Sequence, residues 1–213
     1  MYLIKRFIQK LEIVSHSSNK KYTFFIQTKT LAPASFLFAI LTCMKNYFKG
    51  TKEHPYHLSV GAVAINEKNE VCCHYFTEIK GHASFAAFKN FYILMRETVE
   101  MGESIEETLH RGLKEEFGIT GEIIDYLGSI RDEYFDPGKV TQIEKTTLYF
   151  LVKIKDFKPE LRSREDVEVE SKIEWHSCDY LIEKMKEQEK RLGNVSLDES
   201  SILEKVKTYI INK

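Results

Sequence analysis

The stretch Glu97–Ile119, ETVEMGESIEETLHRGLKEEFGI, decides how the rest of the chain is read. Ser104 with Glu107 three residues on forms a capping box, which predicts a helix starting there, and Gly118 stops it after Phe117. At about 100° per residue, Ile105, Leu109, Leu113 and Phe117 make one apolar stripe that faces a core. Glu116 falls at the edge of that stripe, between Ile105 and Leu109 in angle, and Glu115 on the adjoining face. A carboxylate at the edge of an apolar stripe is partly buried, and burying a lone charge is costly unless a cation or strong donors meet it. Two acids near one point favour a hard divalent cation with oxygen ligands. The competing reading of a Glu-Glu pair on a helix is a solvated face.

The flanks fit a mixed architecture. His57–Asn66 and Val71–Ile79 read as strands around the turn Glu67-Lys68-Asn69-Glu70, and Phe91–Met95 as a short strand. Gly81–Asn90 reads as a loop. Two longer strand regions, about Glu122–Tyr134 and Lys145–Ile154, flank the turn signal Asp136-Pro137-Gly138. Lys172–Trp175 is a further strand, and Cys178–Arg191 and Glu199–Ile211 are helical. Strands with helices at intervals, without strict βαβ alternation, predict an α/β (α+β) class: a mixed β-sheet sandwich flanked by helices. There is no internal repeat.

In register, Glu97–Ile119 resembles the Nudix box, G-x5-E-x7-R-E-U-x-E-E-x-G-U with U aliphatic. Glu103, Arg111, Leu113, Glu115, Glu116, Gly118 and Ile119 match, while Glu97 stands in place of Gly and Gly112 in place of Glu. The resemblance covers about 54–190 and implies a Nudix-like sandwich whose loop–helix–loop holds Mg²⁺ (or Mn²⁺) against a diphosphate. By register it implies that Glu115 and Glu116 are metal ligands and that Glu103 pairs with Arg111 as a structural brace. Relatives often add an acid from a later loop; here Glu165, Asp166, Glu168 and Glu170 precede Trp175, with Glu168 the first choice and Glu170 the second, against the reading of a solvated charge run. Glu97 is expected to compensate for the missing acid by reaching the same ion, with Glu100 a further candidate. Arg96 and Lys80 are expected to meet substrate phosphates, and Lys89 is a weaker candidate.

The implied activity is Mg²⁺-dependent hydrolysis of a phosphoanhydride bond in a nucleoside diphosphate linked to another moiety. Gly112 keeps open an alternative: a nucleotide-binding or regulatory module on the same fold with weak or no catalysis. A fortuitous motif on an unrelated interaction domain is disfavoured by the register. The partner expected is a small-molecule nucleotide or diphosphate metabolite. A homodimer is compatible, since many members of the family form one.

The 213 residues carry a net charge of −1, so there is no global cationic field for a nucleic-acid polymer or a membrane surface. Residues 1–50 are basic, with Glu12 the only acid, and contain the apolar run Leu31–Met44, too short at 14 residues to span a bilayer. This segment is expected to be an extension to a domain over 54–213, packed on it as a helix or lying outside its core; a peripheral anchor is the other possibility. Cys43, Cys72, Cys73 and Cys178 form no CxxC and read as reduced thiols of a cytoplasmic protein. Cys72 and Cys73, adjacent on a strand, are expected on opposite faces. His54, His57, His74, His82, His110 and His176 form no HxxxH or HExxH and read as surface or hydrogen-bonded core residues. Trp175 reads as a packing anchor.

Overall fold

The computed structural model describes residues 7–14, 21–28, 48–79, 88–136, 138–163, 170–192 and 197–212. The chain divides into two compact units, Met1–Lys45 and Asn46–Lys213. In the first, β1 (Phe7–Val14) and β2 (Lys21–Thr28) form an antiparallel pair with Phe7 opposite Thr28, a hairpin not expected from the sequence. The apolar run Leu31–Met44 lies outside the described residues.

The second unit is built on a central hairpin of β3 (Tyr56–Ile65) and β4 (Val71–Glu78). Its turn is local chemistry: the Asn66 side chain accepts from the backbone N–H of Lys68 and of Glu70, both at 2.9 Å, while Asn69 takes a left-handed φ of 60°. The two strands pair only at Ile65 and Val71, then part company. β3 lies between β6 (Met95–Thr98), antiparallel to it, and β8 (Thr141–Phe157), parallel to it, with β7 (Ile119–Asp136) beyond β8. β4 lies between β5 (Lys89–Ile93) and β9 (Lys172–His176). The seven strands thus splay into the two leaves of a mixed sandwich.

The single strand expected at Phe91–Met95 is in fact two. Leu94 is fully buried between them, and its N–H is taken at 2.8 Å by the Glu199 carboxylate instead of by a ladder, so the chain leaves one leaf and joins the other there. β7 and β8 are also longer than expected. Their register shifts three times, after Thr120, Ile123 and Tyr126, and such irregularities let a long ribbon bend around a core.

Helix α1 (Ile105–Gly112) begins on the expected capping box, Glu107 N–H donating to Ser104 Oγ at 3.2 Å and Ser104 N–H to the Glu107 carboxylate at 2.8 Å. The expectation of α-helix through Phe117 is corrected: Leu113–Phe117 form a wider π turn that closes on Gly118 at φ 68°. Two further helices, α2 (Cys178–Leu192) and α3 (Ser200–Ile211), follow β9. α1 and the π turn pack Leu109, Leu113 and Phe117 on Val60, Ala62 and Val152, whereas α2 and α3 pack Leu181, Met185, Ile202 and Leu203 on Val63, Tyr149 and Leu151. Each such aliphatic or aromatic side chain contributes about 1.5–3 kcal/mol by leaving water. Cys72 belongs to the first core and Cys73 to the second, as strand alternation requires, and Trp175 packs edge-on against Phe157 beside the first.

Candidate active site

The site gathers where the C-terminal turn of the α1 segment meets the outer edge of β6. A cleft of about 740 Å³ there is bordered by Lys49, His57, Arg96, Glu97, Glu115 and Glu116, among others.

Arg111 organises its acidic side. Its guanidinium grips Glu103 with two bonds of 2.8 Å, to Oε1 and Oε2, and donates to the carbonyl of Thr98 at 2.9 Å. Glu103 also accepts from Thr108 Oγ1 at 2.9 Å and from the N–H of Glu100 at 3.2 Å, so the loop before α1 is fixed to the helix from three directions. The two-point hydrogen bond from Arg111 holds the Glu103 carboxyl down at about 2. The Arg111 Nη1 then lies 3.2 Å from Glu97 and 3.4 Å from Glu115, between the two.

Glu97 and Gly112, the two departures from the Nudix box, are in contact. A Cβ on Gly112 would lie 2.7 Å from the Cβ of Glu97 and 2.8 Å from the sulfur of Met95. Strand β6 can approach the helix this closely only because Gly112 has no side chain. Glu97 thus lies over the position at which the box specifies an acid. The Glu97 carboxylate accepts from the N–H of Thr98 at 2.7 Å, and burial, opposed by Arg111, leaves its pKa above the ordinary carboxylate value.

Glu116 is buried deeper than the expected stripe edge, at 7% exposure, whereas the Glu115 side chain is 43% exposed to the cleft. Burial first, and then the charge of Glu97, push Glu116 up to about 8, against Arg96 and the Arg96 backbone N–H that bonds it. Its Oε2 lies 2.8 Å from His74 Nε2. Among the described residues, no three His, Cys, Asp or Glu side chains close on one point at metal-binding distance. The acids nevertheless suit a hard cation: their donors are oxygens, and two carboxyls are held above their ordinary pKa by burial and, for Glu116, by the charge of Glu97, a strain that a divalent ion would relieve.

Cations and a neutral imidazole form the other side. Arg96, on β6, stands 3.7 Å from the buried Glu199, which also accepts from Tyr149 Oη. Lys145 is lowered to about 8 by burial and by Arg96. His57 is pushed down to about 3 by burial and then by Lys145, Lys139 and Arg96, and its ring bonds Thr98 Oγ1 at 3.0 Å and Tyr134 Oη at 3.3 Å. Glu100 pairs with Lys49 at 2.6 Å at the rim.

Of the residues singled out from sequence, Glu97, Glu115, Glu116, Arg96, Arg111 and Glu100 border this one cleft, with Glu103 directly behind Arg111. Lys89 is instead exposed at the start of β5, its carbonyl bonded by Arg191 at 2.6 Å. Lys80 and Glu168 lie outside the described residues, and Glu170 is exposed ahead of β9. The reading of His57 and His74 as surface or hydrogen-bonded core residues fits their contacts, but it put neither of them beside this cleft. A histidine inside the run Val71-Cys72-Cys73-His74, where its neighbours are apolar, was the available signal for a buried partner.

A family model for the NUDIX domain matches residues 55–195. No curated protein matches the chain. Among solved structures, a NUDIX hydrolase from Nitrosomonas europaea aligns with a TM-score of 0.48 at 16% identity over 73% of this chain and 89% of its own. A MutT protein from Methanosarcina mazei Go1 aligns with a TM-score of 0.48 at 19% identity, over 73% and 95%. A C. elegans Ap4A hydrolase binary complex gives 0.46 at 16%, over 73% and 98%. The family match spans both leaves of the sandwich and the whole box with its exchanged Glu97 and Gly112, and the chain belongs to the Nudix family.

Proposed function

We propose that the chain hydrolyses a phosphoanhydride bond in a nucleoside diphosphate linked to another moiety, with Mg²⁺ (or Mn²⁺) held by Glu115, Glu116 and Glu97. The observation that carries this is the contact between Glu97 and Gly112, because it sets Glu97 beside Glu115 and Glu116 at one cleft, with Glu100 paired to Lys49 at its rim, although the helix has lost an acid. Glu168 is a further acid in this proposal. Its segment is flanked by Arg162 and Ser171, which are bonded to each other and, through Ser171, to His74 beside Glu116.

A divalent ion bound by these acids would supply Lewis acidity to the phosphoryl oxygens and to the attacking water. Arg96, with Lys49 and Lys139, borders the same cleft and contributes the positive charge that a diphosphate needs. Glu97, with its raised pKa, is suited to accept the proton from water as the bond to phosphorus forms. Arg111, locked by Glu103, keeps Glu97 and Glu115 from drifting apart. His57, held neutral, contributes hydrogen bonding without charge. Three buried free thiols, Cys72, Cys73 and Cys178, support a cytoplasmic location. Among the described residues no helix is long and apolar enough to cross a membrane.

The second reading, a nucleotide-binding or regulatory module with little turnover, is favoured by the Arg111 guanidinium standing between Glu97 and Glu115, where it satisfies both acids without a metal. The deciding experiment incubates the full chain with a panel of nucleoside diphosphate compounds and Mg²⁺ or Mn²⁺, and follows phosphate-containing products. Turnover abolished by the Glu115→Gln, Glu116→Gln double variant supports the hydrolase. Ligand-induced thermal stabilisation without product supports the binding module.

A further inference from the structure

Behind Glu116 runs a buried polar chain that the proposed hydrolysis does not itself require. His74 sits mid-strand in β4 at 1% exposure, its ring against Phe117 at 4.3 Å and Phe76 at 5.9 Å. One ring nitrogen, Nε2, lies 2.8 Å from Glu116 Oε2; the other, Nδ1, lies 2.7 Å from Ser171 Oγ. Ser171 Oγ is 2.6 Å from Arg162 Nη2, and the Ser171 carbonyl accepts from Arg162 Nη1 at 3.1 Å.

The donors in this chain can be assigned. A guanidinium only donates, so Ser171 Oγ accepts from Arg162, and its own hydroxyl proton is within reach of His74 Nδ1 at 2.7 Å. Arg162 Nη2 also faces Nδ1 directly, at 3.5 Å, again as a donor. With Nδ1 an acceptor, a neutral imidazole carries its proton on Nε2 and donates it to Glu116. The Arg96 N–H bonds the same carboxylate from β6, so Glu116 is held by donors from both leaves of the sandwich.

We propose that His74 is a positioning residue for Glu116: Ser171 and Arg162 fix its tautomer, and its Nε2–H holds one carboxylate oxygen so that the remaining lone pairs face the cleft and a divalent cation. This rests on the metal-dependent reading above. A glutamate has three side-chain rotors, and a carboxylate aimed by a fixed donor loses less freedom when a cation binds. The network also reaches the neighbouring acid, because the Ser163 N–H donates to the Glu115 carbonyl at 2.7 Å. Arg162–Ser171, the segment that carries Glu168, is thereby tied at its ends to both acids of the Glu115–Glu116 pair.

The test is Mn²⁺ binding to the full chain by electron paramagnetic resonance, with folding checked by circular dichroism. His74→Phe keeps the contacts with Phe76 and Phe117 and removes both nitrogens; its Mn²⁺ Kd should rise about 10–100-fold. His74→Gln restores a donor toward Glu116 and should recover most of that loss. In the metal-free wild type, long-range ¹H–¹⁵N correlation of the imidazoles should show His74 protonated at Nε2 only. A folded His74→Phe protein with wild-type Mn²⁺ affinity, or no recovery in His74→Gln, overturns the proposal. So does a His74 protonated at Nδ1, a result that needs no variant to fold and no metal to bind. A wild-type chain without Mn²⁺ binding, or a Glu116→Gln variant that binds as the wild type does, overturns the metal-dependent reading itself, and the positioning role falls with it.

Discussion

Restoring the family pattern at both departures together should cost far less than the sum of restoring it at each one. In Gly112→Glu the new Cβ would lie 2.7 Å from the Glu97 Cβ, where carbon atoms in contact sit about 3.5–4.0 Å apart. That Cβ is not the free end of a side chain, so strand or helix must move, at about 1–3 kcal/mol for such overpacking. Better helix propensity returns about 0.5–1 kcal/mol, leaving roughly 2 kcal/mol of destabilisation once the added carboxylate is counted beside Glu97. Glu97→Gly loses the Thr98 N–H bond at 2.7 Å and the Arg111 pair at 3.2 Å, and adds a strand glycine, together about 1–2 kcal/mol. Independent effects would sum to roughly 3–4 kcal/mol. In the double variant Glu97→Gly, Gly112→Glu, the strand substitution removes the overlap with the Glu97 side chain, and of the three nearest atoms to the new Cβ the mobile Met95 sulfur remains. With that overlap gone, the loss should be about 1 kcal/mol or less. Urea unfolding followed by Trp175, the single tryptophan, reports on the sandwich that contains it. With a slope of about 2 kcal/mol per molar, additivity puts the double variant about 1.5–2 M below wild type and the exchange about 0.5 M or less below. A midpoint at the additive value would refute the claim that the two departures are one packing exchange.

Acid titration should expose the bond between Arg111 and Glu103. The folded carboxyl titrates at about 2, below its ordinary value of 4.5, so this stabilisation is complete above about 4.5 and is lost as pH falls toward 2. Screened by solvent, it amounts to about 1–2 kcal/mol, and Glu103→Gln should flatten that part of a stability–pH curve measured by urea midpoint. A curve with unchanged slope would remove the electrostatic role. Gly118→Ala should lower the midpoint by at least about 1 M, because the left-handed φ of 68° is joined by a Cβ that would overlap the carbonyl oxygen of Lys158, a backbone atom that cannot swing aside. A change below about 0.3 M would show that the π turn can end without this close approach.

Much of the fold was legible because its signals are local. The capping box at Ser104 and Glu107, the left-handed stop at Gly118, the Asn66 turn and the opposite-facing Cys72 and Cys73 each act within a few residues. What escaped depends on distant partners. The break at Leu94 exists because Glu199, more than a hundred residues later, takes its N–H, and nothing in Phe91–Met95 announces that. The π turn occurs where the Glu115 carbonyl is taken by Ser163. The burial of Glu116 by His74 likewise joins a strand to a helix end across 42 residues.

The candidate site shows the same division within a single motif. Glu97 and Gly112 are both visible as departures, and each alone reads as damage: an acid where a backbone turn is usual, and a helix-weakening glycine where an acid is usual. Their meaning lies in the 2.7 Å between the Glu97 Cβ and the place where a Gly112 Cβ would be. Their separation along the chain cannot give that distance, since the loop Val99–Ser104 could in principle return the helix to either side of β6. The loop is fixed by Glu103, which accepts from Glu100 N–H, Thr108 and Arg111, while Arg111 reaches back to the Thr98 carbonyl. The half of the motif that matches the family thus sets the geometry in which the altered half becomes intelligible: with the Glu103–Arg111 clamp in place, a large residue at 97 requires a small one at 112.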